Sequence, residues 1–104
     1  MPINSRAKGK VGELEAAAFL RERGFEAARG QQFKGGSDSP DVTGIPGFHI
    51  EVKRVEAGNP YVWLDQAIRD AADKTPIVLH RKNRRPWMVI MRAEDFLNII
   101  TDGA

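Results

Sequence analysis

The sequence predicts an α/β sandwich, a central mixed β-sheet flanked by helices. Three observations lead there. Two segments carry apolar residues at helical spacing, one stopped by a glycine and the other opened by Asn-Pro. The segment after Pro46-Gly47 alternates apolar and polar residues with period two. The elements follow one another as helix, three strands, helix, two strands, helix.

The first predicted helix covers residues 6–23. Ser5 is its N-cap, Ala, Leu, Glu and Arg dominate it, and Gly24 stops it. Val11, Leu14, Ala18 and Arg21 share one stripe, and Glu13, Ala17 and Leu20 share the next. Glu13 therefore lies beside the apolar face, an odd place for a solvated carboxylate. Residues 25–29 read as a short strand, and the glycines and serines of 30–40 as a loop. Residues 41–45 and 48–54 read as strands joined by Ile45-Pro46-Gly47 in a hairpin-like connection. In the second of them Phe48, Ile50 and Val52 point one way, and His49, Glu51 and Lys53 the other.

Asn59 caps a second helix with Pro60 in its first turn, running to about residue 73. Leu64, Ala67, Ile68 and Ala71 form its buried stripe; Gln66, Arg69 and Asp73 form a polar one. Residues 76–80 and 87–91 read as strands around the basic turn Arg81-Lys82-Asn83-Arg84-Arg85, the latter run suiting a buried strand. Residues 93–100 form a closing helix with Phe96, Leu97, Ile99 and Ile100 apolar.

The chain has 104 residues, the size of a single domain spanning 1–104. Hydrophobic residues at 41% and charged ones at 29% fit a soluble globular protein. The absence of cysteine excludes disulfides, thiolate metal sites and cysteine nucleophiles. Two histidines are too few for a histidine cage, so a metal must rest on oxygen ligands. No apolar run approaches the ~18 residues of a membrane span. The first ten residues lack the apolar core of a signal peptide, so a cytoplasmic protein is the expectation.

The chemistry concentrates in Pro40-Asp41 and, ten positions after Asp41, Glu51-Val52-Lys53. Two carboxylates near the bend of paired strands can hold a hard divalent cation such as magnesium, and the Val52 carbonyl offers another oxygen. Such a cation polarises a phosphate oxygen and lowers the pKa of bound water. Lys53, on the face of Glu51, can neutralise charge developing on the phosphate. Glu13 would complete or buffer the shell. Blander readings stand beside these: a surface cross-pair for Glu51 and Lys53, turn chemistry for Asp41, a solvated helix residue for Glu13.

With these residues the chain resembles the PD-(D/E)xK nuclease superfamily, and within it the archaeal-type and phage Holliday junction resolvases. The resemblance rests on Lys8-Gly9-x-x-x-Glu13, Gly24-Phe25, Arg29, Gly36-Ser37, Pro40-Asp41, Glu51-Val52-Lys53 and Gln66-Ala67. It departs at Leu14, where archaeal members often carry arginine. It implies a restriction-endonuclease-like fold and a homodimeric endonuclease cutting branched DNA with magnesium, or manganese, one or two ions per site. By motif position Asp41 and Glu51 would be metal ligands, Lys53 the catalytic lysine, Glu13 the helix carboxylate and Gln66 an accessory polar residue. Arg29 would contact DNA, and Ser37 would lie near the scissile phosphate.

The net charge of +2 averages over an uneven distribution. Arg6, Lys8 and Lys10 precede the first acid, and Arg81, Lys82, Arg84, Arg85 and Arg92 form a second run. With Arg29, Lys34, Lys53 and Arg54 they can line a face that approaches phosphates, or simply solubilise a turn. The loop amides, Lys34 and Ser37 can reach a DNA backbone, whereas Phe33 either wedges into a branch point or packs on its own loop. Tyr61 and Trp63 read as core or dimer contacts. His49 reads as structural or, on the side of Glu51, as a substrate contact, and His80 as either structural or a DNA contact.

Three functions remain open on sequence: a nuclease resolving four-way junctions by paired nicks, a restriction- or repair-type nuclease, and a non-catalytic branched-DNA-binding module. Paired nicks ask for two sites, hence a two-fold dimer. The closing helix and Tyr61-Val62-Trp63 are candidate dimer surfaces. For a phage-encoded protein the compartment is the host cytoplasm.

Overall fold

The computed structural model of the chain describes residues 5–30 and 39–102. Its elements are α1 (Ser5–Arg21), β1 (Ala28–Arg29), β2 (Val42–Thr43), β3 (Phe48–Lys53), α2 (Pro60–Asp70), β4 (Thr75–His80), β5 (Met88–Ile90) and α3 (Ala93–Asp102). The five strands form one mixed sheet in the order β1-β2-β3-β4-β5. Neighbours are antiparallel except β3 and β4, which run parallel across the α2 crossover. With helices flanking the sheet, this is the predicted α/β architecture, consistent with a restriction-endonuclease-like sandwich.

The alternation along β3 sorts its side chains between two layers. Ile50 and Val52 join Ile77 and Leu79 of β4 in a core with Ala16, Ala17 and Leu20 of α1. Val78 on the opposite face meets Leu64 and Ala67 of α2. His49, Glu51 and Lys53 share that face, because Glu51 stands beside Val78 in the register.

α1 buries a different stripe from the most hydrophobic one. Val11 and Leu14 are exposed, while Gly12, Ala16, Ala17 and Leu20 are buried and Glu13 is half-buried. Small residues allow the close approach: a Cβ at Gly12 would stand 2.7 Å from the Arg54 Cβ. α1 closes at Arg21, two residues before the expected 23, with Gly24 as the predicted stop. Gly24 takes φ +94°, Gly24 N donates to Arg21 O and Phe25 N to Leu20 O, the paired bonds of a Schellman motif.

α2 begins as predicted, Asn59 accepting from Tyr61 N at 2.9 Å with Pro60 at N1. It closes at Asp70, before the expected residue 73, because Ala72 turns to φ 53° and Lys74 N donates back to Ala71 O. The strand predicted at 87–91 is shorter and is not buried. β5 is the edge strand, and Met88 and Val89 are more than half exposed. α3 follows it with no buried residue; Phe96, Leu97, Ile99 and Ile100 all face outward.

Candidate metal centre

Asp41 stands immediately before β2, and β2 pairs with β3 through Val42 opposite Ile50. That pairing brings Asp41 beside Glu51, and the two carboxyls share a hydrogen bond. The Asp41 amide donates to Ile50 O at 2.8 Å. β2 has ended by Pro40, and the Val52 N–H donates instead to Asp41 Oδ2 at 2.8 Å. The proline before the aspartate thus marks the point where the ladder gives way to a carboxylate. Gly44 keeps β2 close to β1: it adopts φ +123°, and a Cβ there would lie 2.5 Å from Ala27 Cα.

Facing carboxylates on neighbouring strands repel, and burial makes their charge harder to sustain. Burial, then the hydrogen bond and charge of Glu51, push the Asp41 carboxyl up to about 7, against the opposing pull of the Val52 N–H and Lys53. Burial also raises Glu51, which is only 5% exposed, with Asp70 and Glu13 adding repulsion and Asp41 and Lys53 opposing it. Glu13 is raised by burial and then by Asp41, although Arg29 Nε donates to its Oε1 at 2.7 Å. Asp41 and Glu51 therefore hold a proton between them near neutrality. A divalent cation satisfies the same demand, and its hard oxygen donors are these carboxylates. The residues present fit such an ion.

On the α2 side a second group converges on Glu51. His49 Nε2 lies 2.9 Å from Glu51 Oε1, and both residues are buried. Asp70 at the end of α2 completes a trio whose ligand atoms all lie within 4.8 Å of one another. Sequence reasoning assigned Asp70 no role and His49 a structural one. The alternation of β3 places His49 beside Glu51, but nothing local links either to Asp70.

The remaining predicted residues divide. Glu13, Asp41, Glu51, Lys53 and Arg29 are brought together by geometry or charge. Gln66 is exposed on α2, and Asp70, one turn on, is the α2 residue that reaches Glu51. Arg54 and Arg81 both fold onto Glu15 of α1, Arg54 Nε at 3.1 Å from Glu15 Oε2. Arg54 also donates to Asn83 Oδ1 at 3.0 Å. His80 packs its ring 4.7 Å from Trp63, and its Nε2 lies 3.0 Å from Val55 O. Tyr61 is exposed. Lys10, Lys82, Arg84 and Arg85 are exposed, Arg84 at φ 64° in the turn. The roles predicted for Phe33, Lys34, Gly36 and Ser37, and for the side chain of Lys8, lie outside the described residues.

A five-stranded mixed sheet flanked by helices, with Asp41 facing Glu51 and Lys53 two residues on, defines the class: a restriction-endonuclease-like α/β protein. Residues 4–103 match the family described as "Phage putative PDDEXK endonuclease", and the chain belongs to that family. That makes it a member of the PD-(D/E)xK superfamily, a group of nucleases. The curated proteins and the solved structures contain no match to it. No described helix is long and apolar enough to cross a membrane.

Proposed function

We infer that the chain is a magnesium-dependent endonuclease that nicks branched DNA, with four-way junctions as its preferred substrate. The observation that carries this reading is the Asp41–Glu51 pair, a half-buried and a buried carboxyl joined by a hydrogen bond, with Lys53 on the face of Glu51. Family membership supports the nuclease activity; the preference for junctions rests on the resemblance of the motif set to resolvases.

Asp41 and Glu51 would hold a divalent cation, which would supply Lewis-acid polarisation of a phosphate oxygen and an acidified water. The chain does the rest. Asp41 is fixed by the Val52 N–H, and Glu13 is held by Arg29, so neither carboxylate has to reorganise when substrate arrives. Lys53 brings positive charge to the phosphate as a water oxygen adds to phosphorus. The 3′-oxygen leaves, giving a 5′-phosphate and a 3′-hydroxyl.

Two symmetrical nicks need two copies of this centre, and a two-fold homodimer supplies them. The uncovered face of α3 is the surface we assign to the second copy. Sedimentation should give a dimer that Leu97→Glu with Ile100→Glu reduces to a monomer. In a host cytoplasm such an enzyme would debranch replicating or recombining DNA.

The test is a nicking assay on a synthetic four-way junction with magnesium. Paired nicks that disappear in Asp41→Ala and Glu51→Ala support the reading. Activity persisting in either variant would overturn it, and linear duplex cut as fast as the junction would move the chain to the restriction- or repair-type group.

A further inference from the structure

His49, Glu51 and Asp70 lie outside the motif that led to the metal centre, except for the carboxylate they share with it. β3 places His49 and Glu51 two residues apart on one face, turned toward α2. The parallel crossover then returns α2 along that face and ends it at Asp70, beside them. The separation of 2.9 Å between His49 Nε2 and Glu51 Oε1 is close to that of two adjacent donors around one small cation. With bonds of about 2.1 Å, cis donors stand roughly 3 Å apart and trans donors roughly 4 Å. The full trio spans no more than 4.8 Å, so closing it on an ion takes a shift of at most about 0.8 Å for a trans pair and about 1.8 Å for a cis one.

Burial and charge favour occupancy by a cation. His49 is 2% exposed and Glu51 5%, while Asp70 is half-buried and opens the trio toward solvent. With His49 bound as a neutral ligand and both carboxyls ionised, the trio would carry −2, which one divalent ion cancels. Glu13 adds further negative charge beside Glu51, against Lys53, while Asp41 shares a hydrogen bond with it. The group has more anions than cations to pair them.

We propose that His49, Glu51 and Asp70 form a second cation site, with Glu51 shared between it and the Asp41 centre. Its ligand chemistry differs from that of its neighbour. The Asp41 side offers only oxygen, which suits magnesium with its retained waters; the His49 side adds a nitrogen, which favours manganese and later first-row ions. Magnesium therefore fills one site and manganese both. The sharing of Glu51 rests on the metal-centre reading above, whereas the His49 site stands on its own three ligands.

The experiment uses the full chain stripped of metal and titrated with manganese(II), followed by electron paramagnetic resonance. Depletion of the free-ion signal counts bound ions, and pulsed spectra report nitrogen-14 coupling from a directly bound imidazole. The expected result is two ions per chain with nitrogen coupling. Asp70→Asn, at a helix end where folding is preserved, should weaken the nitrogen-coupled ion at least tenfold and leave the other. Asp41→Asn should do the reverse. His49→Gln, checked for folding by circular dichroism, should lose the coupling outright, which separates His49 from His80 as its source.

One ion per folded chain without nitrogen coupling would overturn the proposal and leave the trio a hydrogen-bonded cluster. So would coupling unchanged in Asp70→Asn. Magnesium-dependent nicking is scored separately: nicking without a nitrogen-bound manganese defeats this site alone, and its absence defeats the nuclease reading alone.

Discussion

Glu13 and Glu15 leave α1 two residues apart, about 200° around its axis, and enter opposite electrostatic surroundings. Glu13 joins Asp41, Glu51 and, beyond them, Asp70, with Arg29 and Lys53 as the nearby cations. Glu15 meets Arg54 and Arg81. The first cluster is short of positive charge, and its carboxyls are driven toward protonation. The second is neutralised within the fold, because Glu56 also lies 3.7 Å from Arg54. The difference teaches where an ion and the flanking substrate belong: a cation, with the phosphate it acts on, fits the Glu13 side, and flanking phosphates can compete for the arginines on the Glu15 side.

The strongest way to break this contrast is to remove charge from the anion-rich side. Asp41→Asn takes away one of two facing carboxylates while keeping an acceptor for the Val52 N–H. Cleavage should fall by about 10³-fold or more, the scale of losing a principal electrostatic group in an active site. Stability should rise, because the repulsion with Glu51 and Glu13 is gone. Activity and thermal midpoint moving in opposite directions is the signature; a destabilised variant would mean that Asp41 is mainly structural. Lys53→Met removes a cation from the same side. It should lower cleavage by about 10²-fold or more and leave binding of magnesium intact.

The next effect is read through pH. The Asp41 carboxyl rises from 3.8 to about 7. Between those values the folded chain holds a proton that the unfolded chain has released, so folding is favoured at the acid end and loses that contribution as pH rises through 7. The metal-free thermal midpoint should fall from pH 5 to pH 8, by roughly 5–15 °C for a loss of a few kcal/mol in a chain this size. Millimolar magnesium should flatten the slope, since an ion bound only to the folded state adds stability where the carboxylates are ionised. Asp41→Asn should flatten it without magnesium. A midpoint that climbs with pH would contradict the shared proton.

The same two clusters show how far the sequence could be read. The element order and the mixed sheet were legible because their signals are local: an Asn-Pro helix start, a glycine stop, an alternating strand. The Asp41–Glu51 pair was legible for a related reason, since a short connection ties register to sequence separation. Three features were not. In α1 an alanine-rich helix is apolar on adjacent stripes, and periodicity alone favoured Val11 and Leu14, whereas close approach to the sheet selects the smaller Ala16 and Ala17. β5 and α3 carry as much hydrophobic signal as a core element, yet both lie at the open edge of the sheet. The contacts of Asp70 with Glu51, and of Glu15 with Arg54 and Arg81, join residues 19, 39 and 66 positions apart, as the numbering of the sequence gives them. Only the three-dimensional path of the chain brings them together.

The smallest expected effect lies on the cation-rich side and sharpens the comparison most directly. Glu15 is partly exposed, so its two ion pairs are screened, and Glu15→Gln should lower stability by about 1–2 kcal/mol. What it changes for DNA is different in kind. Arg54 is held in place by more than Glu15: its stem packs on Gly12 and its guanidinium reaches Asn83. It therefore stays at the same surface when the carboxylate is neutralised, still paired with Glu56 at 3.7 Å, while Arg81 beside it loses its acidic partner. An arginine freed for a phosphate releases one counterion, so freeing Arg81 should steepen the slope of log affinity against log salt by about 0.9 on duplex arms. Binding should tighten at low salt, measured by fluorescence anisotropy on a four-way junction in calcium to prevent cutting. An unchanged slope would place Arg81 away from DNA and leave Glu15 a purely internal partner. A steeper one would show that α1 sends one glutamate to the metal side and uses the other to restrain an arginine that faces the substrate.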